Sequence, residues 1–129
     1  MISKETKETI ACSTVPIILG NGVHSIRLAW RLYQTIGTAS IRLGATRRPS
    51  ELLSLFCVFR KAAKDERLLL EQLSDIFEEF DGYLLLLIPT DEAAHRFVIS
   101  HREFLSARFI LSAPNEVLEH LPYLYNRNP

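Results

Sequence analysis

Charge of one sign, cysteine and long apolar runs are all scarce in this sequence, and each scarcity removes a class of function. The 15 Lys and Arg residues balance 15 Asp and Glu, so the formal net charge is zero at pH 7. That balance removes the broad electrostatic case for a nucleic-acid or anionic-membrane partner. Disorder driven by low hydrophobicity and high net charge is removed with it, since 47% of residues are apolar. The two cysteines, Cys12 and Cys57, are too few for a disulfide scaffold and lack CxxC spacing. They read as reduced thiols, with Cys57 a small apolar filler. The longest apolar run, Leu84 to Ile88, is far shorter than the ~20 residues of a membrane span. No apolar signal core follows the start of the chain. A cytoplasmic location with no membrane partner is the expectation.

Recognisable catalytic motifs are equally sparse. His24, His95, His101 and His120 form no i, i+4 pair and no HExxH, so no metal site is expected. There is no Gly-x-Ser-x-Gly elbow and no P-loop lysine. No nucleophile, base and orienting group come together, so no catalytic residue is assigned to this chain.

What is present is an alternation. Val15 to Leu19 is short, apolar and β-branched, and reads as a buried strand. After Gly20-Asn21-Gly22, the spacing of Ile26, Ala29, Trp30 and Tyr33 predicts a helix over 23–36 with those residues facing inward. A strand over 39–43 follows, then a loop carrying Arg47 and Arg48, then a third strand over 56–59. Asp65 is the expected N-cap of a helix over 66–80. Its inward stripe is Leu69, Leu73, Ile76, Phe77 and Phe80; Glu71, Asp75, Glu78 and Glu79 face solvent. Leu84 to Ile88 does not alternate, as befits a strand covered on both faces in a parallel sheet. A helix over 92–105 with Ala94, Phe97, Val98, His101 and Leu105 inside, a strand over 108–111, and a last helix capped by Asn115 complete the chain. This order predicts an α/β fold: an open, doubly wound, mostly parallel, Rossmann-like sheet in three αβα layers. Residues 1–13 are a lead-in, 14–122 the domain and 123–129 a tail.

In such a sheet, ligands bind beyond the carboxyl ends of strands where the strand order reverses. The first strand and Leu84–Ile88 are the expected neighbours there, bringing Gly20-Asn21-Gly22 together with Pro89-Thr90-Asp91. Gly20 and Gly22 permit close backbone approach, and the helix that follows presents N–H groups to an anion. A tight strand-to-helix turn without a ligand fits the same residues. Thr90 and Asp91 fit a helix N-cap as well as a crevice border. Ser25 stands where the dinucleotide fingerprint has its third glycine, and no acidic residue ends the second strand. Arg47 and Arg48 would suit a phosphate in that nucleotide-binding alternative.

With these elements placed, the sequence resembles the N-terminal domain that precedes the catalytic region in ATP-grasp ligases. It is similar to the carboxylate–amine ligase and carbamoyl-phosphate-synthase-like branch, D-aspartate ligase relatives included. The residues that carry the likeness are Ile17-Ile18-Leu19-Gly20-Asn21-Gly22 and Leu86-Leu87-Ile88-Pro89-Thr90-Asp91-Glu92. It continues through Ser100-His101-Arg102-Glu103-Phe104-Leu105-Ser106 and Phe109-Ile110-Leu111. The resemblance covers about residues 14–121 and implies a pre-ATP-grasp domain. Gly20, Asn21, Gly22, Thr90 and Asp91 would then border the site of a small carboxylate or amino-acid substrate. In that family ATP and Mg2+ belong to a following ATP-grasp region in cis. Its lysines and acidic metal ligands have no counterpart here, so the chain would hold no cofactor and would not ligate alone. The alternatives are a stand-alone nucleotide or NAD(P) binder and a protein-interaction domain, with a homodimer covering an exposed apolar patch.

Overall fold

The computed structural model describes residues 14–21, 23–46 and 56–112. Gly22, the loop with Arg47 and Arg48, and the segment capped by Asn115 lie outside the described residues.

Five strands form one parallel sheet: β1 (Thr14–Leu19), β2 (Ser40–Gly44), β3 (Cys57–Lys61), β4 (Leu84–Pro89) and β5 (Ile110–Leu111). Their order is β3-β2-β1-β4-β5. β1 and β4 pair in parallel from Thr14 opposite Leu84 to Leu19 opposite Pro89. On its other side β1 pairs with β2, Ile17 opposite Ile41. Four helices flank the sheet: α1 (Val23–Ile36), α2 (Glu66–Glu79), α3 (Glu92–Ser100) and α4 (Arg102–Ser106).

Side chains of β1 alternate between two apolar layers, as the pleat demands. Val15, Ile17 and Leu19 join Ile41, Leu43, Leu85 and Leu87 against Leu69, Leu73 and Ile76 of α2 and Phe97 of α3. Ile18, Leu86 and Ile88 pack beneath Leu28, Ala29, Leu32 and Ile36 of α1. So α1 covers one face, and α2 and α3 the other. Right-handed crossovers impose this division, because β1 to β2 runs one way along the sheet and β3 to β4 to β5 runs back. Leu85–Ile88 is apolar throughout because both of its faces are covered, whereas Leu84, at the start of the strand, is 37% exposed.

The inward stripe of α1 differs from expectation. The buried row is Ser25, Leu28, Ala29, Leu32 and Ile36, whereas Trp30 is 46% and Tyr33 37% exposed. Both rows have helical spacing; sheet contact selects the one with small and aliphatic residues, which lets the helix lie close. On α2, Phe77 is likewise half-exposed and meets Phe109 edge-on, with ring centroids 6.2 Å apart. Glu79, expected in solvent, forms a two-bond pair with Arg60, both N–O distances 2.7 Å. That pairing holds the Glu79 carboxyl below its ordinary value and raises the Arg60 guanidinium.

The single helix expected over 92–105 is two. His101 leaves helical geometry at φ −120 and ψ 28, ending α3 and starting α4. Its ring nitrogen lies 3.3 Å from the Glu66 carboxylate, which ties the break to the start of α2. None of the described helices is long and apolar enough to cross a membrane.

Candidate functional site: a crevice at the carboxyl ends of the strands

The strand order reverses between β1 and β4, and the loops leaving these strands meet there. Gly20 takes φ +149, and a β-carbon on it would lie 2.1 Å from Thr90 Oγ1. Glycine therefore lets the β4 loop lie flat against the β1 loop. The Thr90 N–H and hydroxyl both donate to the Leu19 carbonyl, at 2.9 and 3.1 Å. Asp91 Oδ1 accepts from the Ala94 N–H at 2.8 Å, and Oδ2 accepts from the Asn21 N–H at 3.0 Å. One carboxylate thus caps α3, as the sequence reading of Asp91 as an N-cap expected, and joins the two loops.

The β2 end is tied to the same loops. The Gly20 N–H donates to the Leu43 carbonyl at 3.0 Å, and Asn21 Oδ1 accepts from the Ala45 N–H. Arg42 is fully buried on β2. Its Nη1 donates to the Gly20 carbonyl at 2.8 Å and its Nη2 to the Thr46 carbonyl at 2.5 Å. The guanidinium also sits 4.8 Å from the Phe59 ring centroid. Gly44 makes room for this: a β-carbon there would lie 2.2 Å from Arg42 Nη1 and 2.9 Å from the Gly20 carbonyl. Gln72 fixes the third exit loop, accepting from the Ala63 N–H at 3.0 Å and donating to the Lys61 carbonyl at 2.9 Å.

These loops enclose a cavity of about 290 Å3 on the α2 and α3 side of the sheet. Leu19, Leu43, Leu69 and Phe97 give it apolar walls, and Lys64, Glu66 and Asp91 bring charge of both signs to its edge. The volume lies just below the ~300–1,000 Å3 typical of ligand pockets. A small molecule fits it better than a dinucleotide. The N–H groups of Gly20 and Asn21 both donate within the protein, to the Leu43 carbonyl and the Asp91 carboxylate.

Of the residues singled out in the sequence, Gly20, Asn21 and Asp91 line the cavity. Thr90 stands behind them as a brace on Leu19. Gly22, Arg47 and Arg48 lie outside the described residues. Sequence reasoning missed Lys64, Glu66 and the brace residues Arg42 and Gln72. The signal for Lys64 was the third strand, which runs on to Lys61 rather than stopping at Phe59 and delivers residues 62–64 to the crevice, while Glu66 arrives there as the first residue of α2. Ser25, in place of the third fingerprint glycine, is fully buried at the first turn of α1. Among the described residues, no group of three or more His, Cys, Asp or Glu is placed to hold a metal ion.

Fold and crevice together define a Rossmann-like α/β domain. Comparison with protein-family models, curated proteins and solved structures finds no match for this chain.

Proposed function

We propose that this chain is a substrate-positioning α/β domain of the pre-ATP-grasp kind, which holds a small carboxylate or amino acid in the crevice. The carrying observation is the cavity of about 290 Å3 at the strand-order reversal, framed by the Asn21–Asp91 bond. Ligand recognition then falls to the Lys64 ammonium for a carboxylate, to Glu66 for an amine, and to the first turn of α3. Ligation itself, in which ATP converts a carboxylate to an acyl phosphate that an amine attacks, would belong to an ATP-grasp region supplied in cis. The role of Gly20, Asp91 and Arg42 is to keep the crevice formed before the ligand arrives, which lowers the ordering cost of binding.

Calorimetry with a panel of amino acids, dicarboxylates, ATP and NADP tests this reading. A small carboxylate or amino acid should bind and raise the melting temperature. Lys64→Met should weaken binding about tenfold, the equivalent of ~1.4 kcal/mol, without moving the melting temperature of the unliganded protein. Ala93→Leu, at an exposed residue on the cavity wall, should block it. Stabilisation by NADP that disappears in Arg47→Ala would replace this reading with the nucleotide-binding one. No binding by any small carboxylate or amino acid at millimolar concentration would overturn it.

A further inference from the structure

Two helices on opposite sides of the sheet carry outward rows of opposite charge, and each displays a large apolar side chain. On α1, Arg27 and Arg31 stand one turn apart with Trp30 beside them, and the helix has no acidic residue. All three are exposed, Trp30 by 46%. The indole is held in place by a stacked Tyr33, 6.2 Å between centroids, and an edge-on Phe56 at 5.2 Å. On α2, Glu71, Asp75 and Glu78 form an exposed row at i, i+4 and i+7, with Leu68 alongside at 48% exposure. Among the described residues, none of these five charges is in an ion pair.

Like charges one helical turn apart repel, so each row works against the helix that carries it, offset on α2 only at its start, where Arg67 stands one turn before Glu71. A surface of opposite sign relieves that repulsion. The rows share the same one-turn pitch, and each has an apolar anchor beside it. They lie on opposite sides of the sheet, so they cannot meet within one chain. A half-exposed, buttressed tryptophan flanked by arginines is the residue combination that concentrates binding energy in protein interfaces.

We propose that the α1 face seats the α2 face of a second copy of this chain, with Trp30 against Leu68 and Arg27 and Arg31 along Glu71, Asp75 and Glu78. Such a contact joins unlike surfaces head to tail, so further copies add at either end. This inference stands apart from the ligand reading.

Sedimentation and Trp30 fluorescence test it together, since Trp30 is the sole tryptophan. The full chain is measured over a concentration series at about 10 mM salt, where the screening length is ~30 Å, and at about 1 M, where it is ~3 Å. At low salt, mass should rise with concentration while Trp30 emission shifts to the blue; high salt should reverse both. Arg27→Glu with Arg31→Glu, and separately Glu71→Lys with Asp75→Lys, should each be monomeric alone. An equal mixture of the two variants should associate again. All four positions are exposed, so circular dichroism is expected to report intact folds. A chain that stays monomeric at low salt with unchanged Trp30 emission overturns the proposal and leaves the α1 face to a different partner. Association that survives high salt or either charge reversal overturns it as well.

Discussion

The Asp91 carboxylate accepts one amide within its own helix and one from Asn21, 70 residues earlier in the chain. Replacing it by alanine leaves both N–H groups without that acceptor and leaves the β1 and β4 loops joined through Thr90 and Leu19. Asp91→Ala should therefore cost about 1–3 kcal/mol, as lost caps and charge-assisted hydrogen bonds do. Asp91→Asn keeps the shape and should cost less; urea unfolding of the two variants measures the difference. At Gly20 the conflict is steric, because the φ of +149 and the Thr90 hydroxyl at 2.1 Å leave a β-carbon no room. Gly20→Ala should cost about 1–3 kcal/mol through backbone strain, and the crevice should lose its ligand affinity with it. At this scale the sequence was half legible. Gly20, Asn21 and Asp91 were readable because strand ends meet at a reversal point. Arg42 was not, since an arginine inside an apolar strand announces neither its burial nor the carbonyls it binds.

Helices test the sequence differently, because one stretch can offer two faces. Along α1, Ala29, Trp30 and Tyr33 and the row Leu28, Ala29, Leu32, Ile36 are both apolar at helical spacing. Periodicity finds the helix and its ends but leaves its rotation about the axis to the sheet. The rotation is measurable: Leu32→Ala should cost about 2–5 kcal/mol, as a fully buried leucine does, while Trp30→Ala should cost far less. Equal costs would mean that the two faces had been exchanged. Charge pairs between elements were equally hidden. Arg60 on β3 and Glu79 at the end of α2 meet only because the fold brings them together. Since the pair holds the folded Glu79 carboxyl below its ordinary value, its stabilisation is complete above the unfolded carboxylate range. It is lost as pH falls through the folded value. Glu79→Gln should be less stable than the parent chain by about 1 kcal/mol at neutral pH. The two stability curves, followed by urea unfolding from neutral pH into acid, should converge at low pH.

For the whole molecule, the parallel α/β sheet with β1 beside β4 was the most legible property, because it follows from alternation, short connections and one strand without polar positions. Leu84–Ile88 had to lie inside the sheet, and a chain that starts in the middle and returns there places it next to β1. What the pattern could not supply was the cavity, which depends on where β3 ends and how Gln72 holds the exit loop. The same architecture sets a gradient of local stability. β1 and β4 share six register pairs in the centre, whereas β5 is two residues long at an edge with Ile110 exposed. Opening the centre breaks two ladders and both apolar layers at once, so it requires global unfolding, while β5 can open alone. Amide hydrogen exchange should then be slowest in Val15–Leu19 and Leu85–Ile88 and fastest, among strands, in β5. The loops at Gly20–Asn21 and Thr90–Asp91 are the informative intermediate. If the Asn21 N–H exchanges almost as slowly as β1, the crevice is held shut in advance by the core beneath it. If it exchanges like β5, the Asn21–Asp91 bond opens independently, and ligand binding must close it.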